Sequence, residues 1–151
     1  MMTTIRRATP DDAGTLAELR WEFRSDRPDV EESRATFVPR CTEWMRAELG
    51  GPTWRVWVAI QHDRIVGNVW LGAIPKIPNP GAEREEHAYV SNVYVTPSAR
   101  GGVGRALLDA ALADASTRAD RVILWPSALS KTLYARYGFE AHGDVMELKR
   151  R

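Results

Sequence analysis

The chemistry-bearing residues of this chain begin with one run, Arg100-Gly101-Gly102-Val103-Gly104-Arg105. Val103, Leu107, Leu108, Ala111, Leu112 and Ala115 follow in one apolar stripe at helical spacing, so a helix starts inside the glycine run. Gly101, Gly102, Val103 and Gly104 offer no side-chain oxygen to its first-turn amides, which must be satisfied by water or a ligand. Arg105, in the first turn, opposes the helix dipole at a cost of about 0.3–1 kcal/mol. A bound phosphate would reverse both penalties: the amides point at it, the dipole favours it, and Arg100 and Arg105 pair with it. The competing reading is a tight solvent-facing turn in which glycine merely allows positive φ. A dinucleotide fingerprint would need glycine where Leu107 stands, and a nucleoside-triphosphate loop would need glycine-lysine-serine or -threonine. Neither is present, so a pyrophosphate on another carrier remains open.

The elements around this loop follow from periodicity. Residues 3–8 read as a short strand. Thr9-Pro10-Asp11-Asp12 supplies a cap, a first-turn proline and a capping-box acid, and Leu16, Leu19 and Phe23 continue as a helix to about Arg24. Residues 31–49 read as helical, kinked or split at Pro39 and ended by Gly50-Gly51-Pro52. Val56, Val58 and Ile60 alternate as a strand, His62-Asp63-Arg64 turns, and Ile65 to Ile74 returns. Residues 75–87 read as an exposed loop, Tyr89 to Val95 as a strand stopped by Pro97. After the glycine-loop helix, Val122-Ile123-Leu124-Trp125 reads as a buried parallel strand, residues 129–137 as a helix ended by Gly138, and 145–149 as a closing strand. The result is an α/β fold: a mixed, mostly antiparallel sheet with one βαβ crossover.

Composition bounds the class. The chain has 151 residues, 44% apolar and 27% charged, which suits one globular domain over residues 1–151. No apolar run reaches the ~20 residues that span a bilayer, and the first residues lack the apolar core of a signal peptide, so no membrane partner and a cytoplasmic location are expected. The single cysteine, Cys41, has no partner for a disulfide and no neighbouring ligand, and no metal is expected. The 21 basic and 20 acidic residues nearly cancel, which argues against general nucleic-acid binding.

Two stretches resemble the GNAT superfamily of acyl-CoA N-acyltransferases: Asn92 to Leu108, and Leu133-Tyr134-Ala135-Arg136-Tyr137-Gly138-Phe139-Glu140. The expected strand order also matches that family's fold. The resemblance implies acetyl-CoA as co-substrate. It implies that the backbone of Val93, Tyr94 and Val95 pairs with the pantetheine arm like an added strand. The amides of Gly101, Gly102, Val103, Gly104 and Arg105, with Arg100 beside them, would hold the pyrophosphate. Tyr134 would sit near the thioester sulfur. Three positions depart from the family pattern. Arg100 to Gly102 is one residue short of the usual arginine-to-glycine spacing, so either Ala99 takes the first position or the loop is tighter. The asparagine that often precedes the second motif is replaced by Ser127, Ala128 and Ser130, of which Ser127 or Ser130 can substitute. The glutamate often found before the glycine loop is matched by Tyr89, with Glu85, Glu86 and His87 just upstream.

The implied reaction is direct attack of a primary amine on the acyl-CoA thioester. A backbone N–H near Tyr94 would serve the oxyanion, Tyr134 would protonate the leaving sulfur, and Glu86, His87 or Tyr89 would accept the amine proton. The alternative role of Tyr134 is an aromatic that packs its helix on the sheet; Glu85-Glu86 can equally be a solvated pair. The family's first two helices wall the acceptor site, and here they bring Trp21, Phe23, Trp44, Glu22 and Asp26. Trp21 and Tyr89 are the expected acceptor contacts, suiting a small-molecule or peptide amine with an apolar part. A homodimer is compatible with the resemblance. The competing function is a non-catalytic CoA-binding or regulatory module of the same fold.

Overall fold

The structure is a computed structural model and describes residues 2–127, 130–141 and 143–150. Alternating apolar residues build its sheet. Five strands, β1 (Thr4–Arg7), β2 (Trp54–Gln61), β3 (Arg64–Pro75), β4 (Glu86–Val95) and β5 (Ala119–Leu124), lie in the order β1-β2-β3-β4-β5. The first three pairings are antiparallel and β4–β5 is parallel. His62 and Asp63, with φ of 49° and 61°, close the β2–β3 hairpin as a two-residue turn.

Period-two alternation sends two sets of side chains to opposite faces. Trp57, Ala59, Val69, Leu71, Ala88 and Val90 pack against Leu107, Leu108 and Ala111 of α3 (Val103–Ala115), the crossover helix between β4 and β5. Leu107 and Leu108 are fully buried, worth about 1.5–3 kcal/mol each. The other face carries Val56, Val58, Trp70 and Tyr94 under Leu16 and Leu19 of α1 (Ala13–Arg24) and Met45 of α2 (Arg34–Leu49). Thr9 and Asp12 form the expected capping box, in a 3-10 turn that precedes α1. Ser33 caps α2, accepting from the Thr36 amide at 3.2 Å.

Several expectations are corrected. Pro39 neither splits nor ends α2; it lies in the second turn, where only one backbone bond is forgone. β3 and β4 run further than the sequence suggests, so Glu86 and His87 lie on a strand and not in a loop. Lys76 closes that hairpin from both sides, bonding Glu83 at 2.8 Å and also Asp120 at the start of β5. β5 is parallel, as expected, but Val122, Ile123 and Leu124 are only half-buried and Trp125 is 62% exposed, because β5 is the edge of the sheet. Residues 145–149 form no strand. Val145, Met146 and Leu148 are exposed, since apolar alternation makes a strand only where a ladder partner exists. The last helix, α4, covers Lys131–Arg136 and ends at Gly138 with φ of 91°, as a C′ glycine should. Leu129, where that helix was expected to begin, and Ala128 before it lie outside the described residues.

Candidate active site

β4 and β5 pair only as far as Val90 and Leu124. Just beyond, Trp70 faces Asn92 while Leu71 faces Val90, leaving Ser91 as an extra residue in a β-bulge. From there Val93, Tyr94 and Val95 keep their ladder to β3 but have none on the β5 side among the described residues. The sheet therefore opens into a split whose inner wall is β4 backbone. The Thr96 amide donates to Val66 O on β3 at 2.8 Å. Because successive N–H groups point to opposite edges, the Tyr94 amide also serves β3, and those of Val93 and Val95 face the split. Of the amides near Tyr94, those of its two neighbours are thus the ones turned to the split. Gly67 lets the layers approach here: a Cβ on it would lie 3.0 Å from Tyr94 O and 3.2 Å from Leu107 Cδ1.

The glycine loop follows β4 directly. After a 3-10 turn over Pro97–Ala99, Gly101 and Gly102 take φ of 129° and 100°, and Gly102 is the N-cap of α3 with no side chain capping it. A Cβ at either glycine would meet nothing within 4 Å, so the backbone angle, not crowding, demands glycine. The amides of Val103, Gly104 and Arg105 make the free first turn. The two arginines are not arranged alike. Arg100 turns back, its Nε donating to Val95 O at 3.2 Å and its guanidinium 6.0 Å from the Tyr94 ring. Arg105 lies 5.9 Å from the Tyr137 ring, whose hydroxyl donates to Arg105 O.

Tyr134 lies half-buried on α4 and packs against the α3-side core, its ring 5.8 Å from Phe139. Burial pushes its hydroxyl up, so it is protonated at neutral pH. Ser130 caps α4 by position, and its hydroxyl lies 2.9 Å from that of Ser127.

The three base candidates are not brought together. Glu86 projects to the α3 face, where its Oε1 accepts from Arg55 Nη2 at 2.9 Å. Arg55, 8% exposed, also pairs with Asp114 of α3. His87, opposite Ile74, and Tyr89 share the α1–α2 face; His87 Nδ1 is buried without a hydrogen-bond partner among the described residues.

Trp21 and Tyr89 also part company. Trp21, 5.9 Å from Phe37, lines a cleft of 290 Å³ with Arg24, Arg27, Asp29 and Glu32. Tyr89 belongs to an aromatic row across the sheet: Trp44 stacks on Trp70 at 5.8 Å, Trp54 meets Trp70 at 5.8 Å and Tyr89 at 6.3 Å, and Tyr89 meets Trp125 at 5.2 Å. Trp44 is 49% exposed and so is no core residue, whereas Phe23 stacks on Tyr94 at 4.8 Å. The Tyr94 hydroxyl donates to Glu22 Oε2 at 2.9 Å, and burial together with that carboxylate pushes it up to about 12. Sequence reasoning missed a polar chain on this face, Arg20–Asn92–Asn68–Trp70. The signal was two asparagines at inward positions of otherwise apolar strands.

A mixed sheet that splits beside an uncapped helix start puts the chain among α/β proteins with one βαβ crossover. Residues 52–141, more than half of the chain, match the acetyltransferase (GNAT) domain model, and the protein belongs to that family. No curated protein matches it. Among solved structures, a predicted acetyltransferase of Clostridium acetobutylicum with acetyl-CoA is 23% identical, with a TM-score of 0.80 over 98% of this chain and 96% of that one. A GCN5-related N-acetyltransferase of Ralstonia eutropha is 22% identical, with a TM-score of 0.79 over 98% and 99%. An aminoglycoside N-acetyltransferase in complex with CoA is 16% identical, with a TM-score of 0.72 over 99% and 95%. Among the described residues no helix is long and apolar enough to cross a membrane, and no cluster of metal-ligating side chains occurs.

Proposed function

We propose that this protein transfers an acetyl group from acetyl-CoA to a primary amine by direct attack. The observation that carries the reading is the free first turn of α3, with positive-φ glycines ahead of it, placed at the mouth of the β4–β5 split. The amides of Val103, Gly104 and Arg105 would take the pyrophosphate. The unpaired edge of Val93 to Val95 would take the pantetheine arm as an added strand. Arg100 occupies Val95 O, which leaves the Val93 backbone and the Val95 amide for that arm.

In the reaction the amine nitrogen bonds to the acetyl carbon while the carbon–sulfur bond breaks. The nitrogen loses one proton and the sulfur gains one. Charge developing on the carbonyl oxygen is met by a β4 amide that faces the split, with Val93 the best placed. Tyr134 donates to the sulfur; its raised pKa keeps that proton available at neutral pH. The amine proton leaves on the α1–α2 face, where Tyr89 and His87 stand, and not through Glu86, whose carboxylate is committed to Arg55 on the other face.

Thiol release from acetyl-CoA against a panel of amines tests this. Amine-dependent release supports the reading. Calorimetric binding of acetyl-CoA with no release for any amine would leave the non-catalytic CoA-binding module in its place.

A further inference from the structure

The α1–α2 face holds a cation that no carboxylate meets among the described residues. Arg20 reaches from α1 to β4, its Nη1 donating to Asn92 Oδ1 at 2.9 Å. Asn92 Nδ2 donates to Asn68 Oδ1 at 2.7 Å, and Trp70 Nε1 donates to the same oxygen at 2.8 Å. Both asparagines are buried, and the arginine is withdrawn from water far enough that burial lowers its pKa, with Arg24 adding repulsion. Among the described residues no carboxylate lies within ion-pair distance of it, although Arg6, Arg34, Arg40 and Arg55 each have one. Half-buried charges ordinarily find a counter-charge, because desolvation is costly without one. One hydrogen bond to an amide oxygen does not need a guanidinium; a glutamine would make it. Most of the five donors of Arg20 are left for something else.

The surroundings narrow what that is. Asn92 and Tyr94 are two residues apart on one strand, about 7 Å. Arg20 stands at the first and Glu22, through the Tyr94 hydroxyl, at the second. A cation and an anion thus flank the stretch of β4 whose Val93 amide faces the split. Alongside runs the aromatic row, with Trp54 and Tyr89 half-buried and Trp125 exposed.

We propose, on the acyltransferase reading above, that the acceptor is an amino acid with a bulky apolar side chain: its carboxylate binds Arg20, its amine lies toward the split, and its side chain packs on Trp54, Tyr89 and Trp125. Arg20 is then the residue that sets specificity. A polycationic amine would instead bring further positive charge to Arg20, which no carboxylate among the described residues meets.

The test compares phenylalanine, phenylalaninamide and spermidine as acceptors, in wild type and in Arg20→Gln, by thiol release. Wild type should prefer phenylalanine over its amide by about 10- to 100-fold in kcat/KM, the scale of a lost charge-assisted hydrogen bond. Arg20→Gln, which keeps the bond to Asn92, should erase that preference, kcat/KM on phenylalanine falling to that on its amide. An equal loss on both acceptors would mean that Arg20 only holds the strand, and a preference for spermidine would overturn the proposal. A second readout does not need turnover. The product N-acetylphenylalanine should quench the intrinsic tryptophan fluorescence saturably in wild type and not in Arg20→Gln. Quenching without thiol release from any amine would sink the acyltransferase reading and keep the carboxylate site; thiol release without carboxylate-dependent binding or preference would sink the site alone.

Discussion

Replacing Glu86 by glutamine separates a structural carboxylate from a catalytic one. Its Oε1 lies 2.9 Å from Arg55 Nη2, and Arg55 keeps Asp114 as a second partner. Glutamine has nearly the same shape and can still accept that bond, so only the charge is lost. A bond to a charged group is worth about 1.5–3 kcal/mol and a neutral one about 0.5–1.5. The difference predicts a loss near 1 kcal/mol, or a drop of about 2–4 °C in melting temperature for a domain of this size. Turnover should stay within about twofold of wild type, whereas loss of a general base costs about 10²–10⁴. Thermal unfolding and steady-state thiol release on the same preparation give both numbers. A variant that melts normally but loses turnover 100-fold, with the acidic limb of its pH–rate profile gone, would refute the assignment of Glu86 to the ion cluster.

Tyr134→Phe removes the proposed acid while keeping the ring against Phe139; turnover should fall about 100-fold with acetyl-CoA affinity, measured by calorimetry, unchanged. Unchanged turnover would leave Tyr134 as packing only. Gly102→Ala meets no neighbour but forces an L-residue to φ near 100°, a strain of about 1–2 kcal/mol; acetyl-CoA should bind roughly tenfold more weakly as the first turn of α3 shifts. Wild-type affinity in that variant would detach the loop from the cofactor. Asp12 is held below the ordinary carboxylate range by the Arg6 guanidinium, which donates to it at 2.8 and 2.9 Å. Its folded pKa is thus below its unfolded one, so the stabilisation is complete above the unfolded value and disappears as pH falls through the folded value. Asp12→Asn should lower urea midpoints at neutral pH and flatten their decline in acid; an unaltered acid limb would show that another carboxylate governs it.

How much of this was legible before folding depends on whether the signal was local. The glycine loop was readable because positive φ at Gly101 and Gly102 and the missing cap on α3 are properties of consecutive residues. The capping box at Thr9 and Asp12, the C′ glycine at Gly138 and the alternation of β2, β3 and β4 are local in the same sense. So was the order of elements up to α4, and with it the family. What the sequence could not assign was which face a residue meets and who waits there. Glu86 and His87 are neighbours in the chain, yet strand alternation sends one to Arg55 beneath α3 and the other beneath α1 and α2. Trp21 and Tyr89 both look like pocket aromatics, but the helix carries one to Phe37 and the strand carries the other to Trp125. Residues 145–149 alternate like a strand and are not one, because pairing is a relation between segments. Arg20, which meets no carboxylate among the described residues, is the extreme case. Its 72-residue separation from Asn92 makes their contact a tertiary fact, and only burial sets this arginine apart from an ordinary one on a helix. The sequence by itself determined a helix start with free first-turn amides, since amides, dipole and glycine angles are set within a few residues; the tertiary structure alone decided what stands across the split from it.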